Sequence, residues 1–484
     1  MSDVAPPRTR GSARSLGPLL LRLHFYAGLL VAPFLLVAAL TGLAYALTPQ
    51  VEKIYYADQL TVTPAGPVKP LSVQLAAARA THPAGDVTAI RPGGGEATTQ
   101  IDFTSPGLDA EHAHTVYVNP YTAEVTGQLT TWWATTPLRT WFDDLHTNLN
   151  LGAPGFYYSE LAASWLWVIA LGGAALWWRR RRGNRMLRPD LSAKKGVRRT
   201  RSWHASLGLW LLAGLLGLSA TGLTWSNLAG ANFDAALDAV RGSRPAVATE
   251  LTGEAAAAAG GHHGGGGTPA GTTADLTQID RVWQAASGAG IDGPTAITVP
   301  AGAGTAWSVT ETDGLYPLRR DSVAVDGATG TITDRVDFAD WPVLAKLTQY
   351  GIYAHMGDLF GLPNQLLLAA LAAGLITVIV WGYRMWWQRR PTRAGRRAVG
   401  GAPPAGPGAW QRLPTWAIVV GVPVILALGY ALPLFGIPLA GFLLVDLAAG
   451  AVRRRTARIP VSPAPAGVPP APRLPDSSLS GSER

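Results

Sequence analysis

The stretch "RLHFYAGLLVAPFLLVAALTGL" (22–43) decides the class of fold, because it is long enough and apolar enough to cross a membrane. Its one histidine, His24, lies where the apolar run begins. A second stretch, "HASLGLWLLAGLLGLSATGL" (204–223), repeats the pattern in register, so that His24 matches His204 and Gly28 matches Gly208. A repeat of this kind predicts two related halves in one chain.

The composition agrees with a membrane protein. Of the 484 residues only 15% are charged, whereas soluble domains carry about 25%. The chain has no cysteine, which excludes disulfides, iron–sulfur clusters and cysteine catalysis. The net charge of +9 is concentrated beside the apolar runs. We therefore expect a lipid bilayer as the partner of this charge and no nucleic acid.

The apolar runs divide the chain into spans and connecting segments. We predict four core spans at residues 19–47, 157–178, 203–226 and 362–387. A C-terminal hairpin of two short spans follows at 413–452, interrupted by Pro433, Gly436 and Pro438. Residues 1–18 form an N-terminal tail, 388–412 a linker rich in proline and glycine, and 453–484 a disordered tail.

The basic residues predict the orientation of these spans. The loop 179–202 carries eleven Lys and Arg residues, whereas the much longer segments 48–156 and 227–354 carry five and seven. Because cytoplasmic loops are enriched in Lys and Arg, we place the loop and both termini in the cytoplasm. The two long segments then lie outside the cytoplasmic (inner) membrane of a bacterial cell.

Each external segment, 48–156 and 227–361, reads as a small α+β domain. "VYVNPYTAEVTG" (116–127) resembles "VAVDGATGTITD" (323–334), and each predicts a strand, a turn and a second strand. A helix-like run precedes each of them, and residues 255–271, with His262 and His263, form a flexible glycine-rich loop. The predicted fold class is a membrane α-helical bundle with two external α+β domains.

Four of the nine histidines belong to the repeat. Besides His24 and His204, "HTNLNLG" begins at His146 and "HMGDLFG" begins at His355. The topology places His24 and His204 near the cytoplasmic face and the other two near the outer face. Two imidazoles facing each other across a helical bundle are typical of a bis-histidine site for haem iron. Gly28 and Gly208, one turn after their histidines, would leave room for the flat macrocycle.

Other interpretations of these residues stay open at this point. The four histidines could cap helix ends, hydrogen-bond a neighbour or form a proton or metal pathway. Zinc is one possible metal, because Asp143, Asp144 and Asp358 are nearby and carboxylates bind zinc. His112 and His114 in "EHAH" suit an exposed loop better than a metal site, and His82 is incidental. We interpret Gly42 and Gly222, in the repeated "TGL", as positions where helices pack closely.

The segments "RLHFYAGLLVAPFLLVAALTGL", "LHTNLNLG", "SWHASLGLWLLAGLLGLSATGLTW" and "YAHMGDLFG" together resemble the PepSY-associated transmembrane helix family over about residues 18–390. The external domains resemble PepSY domains. This resemblance implies two b-type haems, bound by His24 with His204 and by His146 with His355. It also implies an oxidoreductase of iron acquisition that carries electrons to an external ferric siderophore or chelate.

The sequence departs from this family pattern in two respects. It has the linker and the C-terminal hairpin, and it has no fused flavin or nicotinamide domain, so the cytoplasmic or membrane electron donor is not identified. The second hypothesis is a membrane-anchored PepSY protein that binds partners or regulates proteases without redox activity. The third is a proton-coupled transporter, which would need polar residues in mid-span.

Overall fold

The computed structural model describes residues 17–181, 183–251, 274–302, 304–389 and 415–457. The predicted glycine-rich loop with His262 and His263 lies outside these ranges. So do most of the N-terminal tail, the linker and nearly all of the C-terminal tail. The predictions for those segments therefore stay predictions.

The first apolar run forms two helices instead of one. Helix α1 (Gly17–Leu30) and helix α2 (Ala32–Ala46) meet at an angle of 56°. Pro33 lies in the first turn of α2 and has no N–H with which to bond the carbonyl of Leu29. That carbonyl instead accepts a hydrogen bond of 3.0 Å from the hydroxyl of Tyr383. The bend thus has a local cause, and a neighbouring helix satisfies the carbonyl that it exposes.

Three further helices are long and apolar enough to cross a membrane: α7 (Phe156–Trp178), α8 (Gly196–Leu223) and α12 (Leu362–Arg389). With the bent pair counted as one span, the described residues contain four. Helix α8 packs between α7 and α12, and α2 packs against both α7 and α12. Where α8 meets α12, Leu371 lies over Gly214 and Leu211 lies over Gly374. These reciprocal contacts bring the two helices close together.

The C-terminal region forms a hairpin of helices α13 (Thr415–Ala431) and α14 (Pro433–Ala457). Its apolar helical stretches are shorter than a full span, so the prediction that they cross the membrane stays a prediction. The hairpin is fixed to the bundle by polar contacts. Trp165 of α7 donates to the carbonyl of Leu434 at 3.0 Å, the carbonyl that Pro438 leaves without its helical partner. Arg22 of α1 forms a buried ion pair with Asp446 of α14.

Both long segments between the spans contribute helices and strands. The first contains α3 (Thr48–Tyr55), α4 (Ala57–Leu60), α5 (Leu71–Thr81), β1 (Val87–Arg91), β2 (Thr99–Phe103), β3 (His112–Val118), β4 (Val125–Trp132) and α6 (Pro137–Thr147). The second contains α9 (Asn227–Ala239), α10 (Ile279–Gly288), β5 (Thr295–Thr298), β6 (Trp307–Glu311), β7 (Ser322–Val325), β8 (Ile332–Val336) and α11 (Val343–Met356).

The strands of the two segments form one sheet. Its order is β4-β3-β2-β1-β5-β6-β7-β8, and all neighbours are antiparallel. Strands β1 and β5 join the halves, with Ile90 opposite Ile297. The expectation of two separate α+β domains is therefore corrected, because the predicted strand pairs exist but belong to a continuous eight-stranded sheet. Helices α5 and α10 cover one face of it and share one apolar core.

A polar contact also joins the two helices on the sheet. The backbone N–H of Ser72, at the start of α5, donates to the Asp280 carboxylate of α10 at 3.1 Å, and the Ser72 hydroxyl bonds the same group. A carboxylate at the N-terminus of a helix is favourable because the first N–H groups have no partner within the helix. The chain is thus a helical membrane protein with one sheet domain, which lies at one end of the bundle. We call this end the sheet side, and the end that carries residues 179–202 the arginine side.

Candidate functional site

His24 and His204 meet inside the bundle near its arginine side. Their ring centres are 6.5 Å apart and the ring planes are inclined by 80°. The sequence placed both residues at the start of their spans. The helices themselves begin about two turns earlier, α1 at Gly17 and α8 at Gly196. The rings therefore project between helices and do not cap helix ends.

Each of these two rings is oriented by a backbone carbonyl of a different helix. Nδ1 of His24 lies 3.0 Å from the carbonyl oxygen of Ile169 in α7. Nδ1 of His204 lies 2.9 Å from the carbonyl oxygen of Val378 in α12. A carbonyl oxygen only accepts hydrogen bonds, so Nδ1 carries the proton in both rings. Nε2 then has a free lone pair, which is the form of imidazole that binds a metal ion.

His146 of α6 and His355 of α11 form the second pair at the sheet side. Nδ1 of His146 lies 3.0 Å from the hydroxyl of Thr41, and Nδ1 of His355 lies 2.7 Å from the hydroxyl of Thr221. Thr41 donates its own proton to the carbonyl of Val37 at 2.9 Å, and Thr221 bonds back along its helix in the same way. Each hydroxyl is thereby left as an acceptor, and again Nε2 is the free nitrogen.

The sheet-side histidines are neutral at physiological pH. Burial lowers the pKa of His146 to about 4. Burial, together with the neighbouring His146, lowers the pKa of His355 to about 4. A neutral imidazole needs to lose no proton before it binds iron, so the pair is ready for a metal ligand role.

A glycine lies against each of the four rings. A Cβ at Gly173 would be 2.9 Å from the ring of His24, and one at Gly382 would be 3.7 Å from the ring of His204. At the sheet side, a Cβ at Gly42 would be 3.0 Å from His146 and one at Gly222 would be 3.3 Å from His355. Gly42 and Gly222, which we interpreted as positions where helices pack closely, thus lie against imidazoles of neighbouring helices.

The predicted role of Gly28 and Gly208 stays a prediction. A Cβ at either position would meet nothing within 4 Å. A side chain of one carbon at either position would therefore contact neither a histidine nor a neighbouring helix among the described residues.

The spacing of His24 and His204 suits two ligands of one iron. An imidazole nitrogen binds a transition metal at about 2 Å and lies about 1 Å from its ring centre, so His24 and His204 could share one metal ion with their ring centres about 6 Å apart. The observed distance is 6.5 Å. The donor set of neutral imidazoles with oriented Nδ1–H groups is also that of haem iron. The residues present therefore fit haem.

Other metal sites have less support among the described residues. There, no group of three or more His, Asp or Glu side chains is close enough to hold a metal ion. Asp358, which the sequence offered as a possible zinc ligand, forms an ion pair of 2.7 Å with Arg139. His112 bonds Asp109 at 2.7 Å, and His114 bonds Gln128 at 2.6 Å. His82, predicted to be incidental, stacks on His114 with ring centres 4.1 Å apart.

The buried acid of α7 has a structural role. Glu160 is almost completely buried, and its carboxylate accepts hydrogen bonds of 3.0 Å from the backbone N–H groups of Leu228 and Ala229. These are the first N–H groups of α9, so the carboxylate satisfies groups that have no partner within the helix. Glu160 therefore gives no support to a proton pathway through the bundle.

Sequence reasoning missed the residues that orient the rings of His24 and His204. Ile169 and Val378 act through backbone carbonyls, which leave no mark in a sequence. Gly173 and Gly382 could have been found from the sequence. They are separated by the same number of residues as His146 and His355, and so are Trp177 and Trp386. If the repeat that begins at His146 and His355 is continued to these positions, it includes the glycines that lie against His24 and His204.

The comparison with known families agrees with the architecture. The chain matches the family described as "PepSY-associated TM region" over residues 21–389, which is most of its length. This range includes the four core helical segments, the sheet and all four paired histidines. No curated protein matches the chain.

Proposed function

Since the chain belongs to the PepSY-associated TM region family, we propose that this multi-pass membrane protein holds two b-type haems and carries electrons across the bilayer. The observation that supports the proposal is one arrangement repeated four times. Each paired histidine has Nδ1 bonded to an acceptor, Nε2 free and a glycine against its ring. Neither helix packing nor capping requires all three features together.

In this proposal, His24 and His204 hold one haem and His146 and His355 hold the other. Haem supplies the reversible one-electron chemistry of its iron. The protein fixes the ring orientations through Ile169, Val378 and the two threonine hydroxyls, and a hydrogen bond from Nδ1–H also makes Nε2 a stronger ligand.

The two pairs lie at opposite ends of the bundle. His204 and Thr221, which contacts His355, are 17 residues apart on α8 (221 − 204). At about 1.5 Å per residue, they are separated by about 25 Å along the helix axis. This separation is close to the thickness of the apolar part of a bilayer, about 30 Å. Each pair would therefore serve one face of the membrane.

The direction of transfer follows from charge and from the resemblance. The arginine-rich end faces the cytoplasm by the positive-inside rule, so the sheet side faces outward. An electron from a cytoplasmic or membrane reductant would reduce an external Fe(III) chelate to the Fe(II) chelate, with no covalent bond to a ligand broken. The protein would then act as a ferric-chelate reductase in iron acquisition.

Absorption spectra of the purified full-length protein test this proposal. We expect a Soret band in the wild type and loss of about half of the bound haem in each of His204→Ala and His355→Ala. His112→Ala, which removes a histidine of β3 outside both pairs, should retain all of it. A wild type without a Soret band, or full haem content in both paired-histidine variants, would refute the proposal. Protease inhibition by a haem-free protein would favour the second hypothesis, a membrane-anchored regulator.

A further inference from the structure

A cavity of about 350 Å³ opens on the arginine side of the bundle. Four arginines line it, two that follow the end of α7 and two from the start of α8: Arg180, Arg181, Arg198 and Arg201. Asp190 is the one acidic residue of the lining. The described wall therefore carries an excess of positive charge. None of these residues takes part in the proposed haem sites.

The single carboxylate is already engaged. Asp190 forms ion pairs with Arg181 at 2.9 Å and with Arg198 at 3.0 Å. For Arg180 and Arg201, no acidic partner lies within the described part of the chain. Arg180, Arg198 and Arg389 are all close enough to Arg201 for their charges to repel it. Such crowding of like charges costs free energy, and a bound anion would relieve it.

The walls of the cavity are held in place by contacts that do not involve a ligand. The indole N–H of Trp177 donates to the carbonyl of Met186 at 2.9 Å, and the guanidinium of Arg181 lies 5.4 Å from the centre of the Trp177 ring. The hydroxyl of Ser202 accepts a hydrogen bond from the backbone N–H of Asp190. Trp177, Arg181, Asp190 and Ser202 of the lining are thus held by contacts within the protein.

Helix α8 adds to the positive potential at this place. Arg198 and Arg201 lie in its first two turns, where the unpaired N–H groups and the helix dipole favour an anion. Guanidinium groups bind phosphate oxygens in a bidentate manner and keep their charge at all physiological pH values. A phosphate monoester or pyrophosphate also carries more charge than a carboxylate, and so compensates more of the excess.

We propose that this cavity binds a phosphate-bearing anion. The same chemistry is offered by the headgroup of an acidic phospholipid and by a soluble phosphate compound from the aqueous side. The proposal does not depend on haem, because it rests on the arginines and Asp190 alone. It predicts one saturable site per chain, lost when Arg180 and Arg201 are neutralised.

Two probes applied to the full-length protein distinguish the sources. Inorganic pyrophosphate is titrated into detergent-solubilised protein at low ionic strength, and binding is measured by equilibrium dialysis. Separately, protein from nanodiscs of phosphatidylcholine with phosphatidylglycerol is analysed by native mass spectrometry for retained acidic lipid. The test variant is Arg180→Gln/Arg201→Gln. The matched control is Arg188→Gln/Arg199→Gln, which removes the same charge from exposed positions outside the cavity.

We expect the wild type and the control to bind alike and the test variant to bind at least about tenfold more weakly. Saturable pyrophosphate binding supports a soluble ligand, and selective retention of phosphatidylglycerol supports a lipid headgroup. The proposal is wrong if neither probe binds the wild type saturably, or if the control loses as much binding as the test variant.

Discussion

Each paired histidine depends on two neighbours, an acceptor for Nδ1 and a glycine for the face of the ring. The histidines themselves were predictable, because each repeats at a fixed offset with flanking residues that also repeat. Their acceptors were predictable only in part. Thr41 and Thr221 repeat in the sequence, but their hydroxyls reach histidines that lie far away in the chain.

The glycine beside His24 gives a prediction at the scale of one residue. In Gly173→Ala, the new Cβ would lie 2.9 Å from the imidazole, so the ring must move. We expect a loss of haem from the arginine-side pair and a decrease of about 1–3 kcal/mol in the free energy of unfolding. Haem content per chain and unfolding in detergent measure the two effects.

Gly217→Ala is the control for this substitution. A Cβ at Gly217, in the middle of α8, meets nothing within 4 Å, so the replacement should be neutral or slightly stabilising. If both substitutions change haem content and the free energy of unfolding equally, the role assigned to Gly173 is contradicted. Such a result would mean that both act only through the backbone of their helix.

At the scale of helices, the apolar runs predicted where the spans lie but not their shape. Hydropathy measures the length of an apolar segment and carries no information about its bending. Pro33 was visible in the sequence, yet a proline in the first turn of a helix and a proline that breaks a span look the same there. The deciding contact, from Tyr383 to the carbonyl of Leu29, comes from a helix more than 300 residues later.

This contact predicts a coupling between Pro33 and Tyr383. Tyr383→Phe leaves the carbonyl of Leu29 without a donor and should cost about 1 kcal/mol of the free energy of unfolding. In a Pro33→Ala background, the N–H of residue 33 can bond this carbonyl, so the same substitution should cost almost nothing. Denaturant unfolding of the four proteins in mild detergent measures the difference.

An equal cost of Tyr383→Phe in both backgrounds would show that the hydroxyl acts independently of the proline.

The C-terminal hairpin provides a second case for the same double-mutant cycle. There, Trp165 donates to the carbonyl of Leu434, which Pro438 leaves without its helical partner. Trp165→Phe should therefore cost less in a Pro438→Ala background.

For the whole molecule, the strands and their hairpins were predictable from alternation and turn residues, but the joining of the two halves was not. The pairing of β1 with β5 connects the edge strands of two repeats. Pairing between edge strands is specified by backbone hydrogen bonds and by a few facing residues such as Ile90 and Ile297. In the sequence, these residues look like any other apolar position in the alternating pattern of a strand.

The ion pair of Arg139 and Asp358 also joins the halves, and it gives a prediction at this scale. Arg139 lies on the helix of His146 and Asp358 follows the helix of His355, and their side chains are 17% and 24% exposed. Because the pair is mostly shielded from solvent, we expect a coupling of about 1–2 kcal/mol in a double-mutant cycle with Arg139→Gln and Asp358→Asn. Either substitution should also lower haem binding at the sheet-side pair.

Arg91 and Asp102 provide the comparison within one half. They form an ion pair of 2.7 Å between two strands of the first segment, so Arg91→Gln should reduce stability without changing haem content. If Arg91→Gln lowers haem binding as much as Arg139→Gln does, the pair of Arg139 and Asp358 has no special role at the sheet-side histidines.

The continuous sheet has a consequence for how the molecule is divided. Each histidine pair takes one member from the first half of the chain and one from the second, and the sheet is shared between the halves in the same way. The protein therefore resembles a symmetric dimer whose two subunits have been fused, with both histidine pairs at the subunit interface. A half-chain expressed alone would have to associate with a second copy to complete either site.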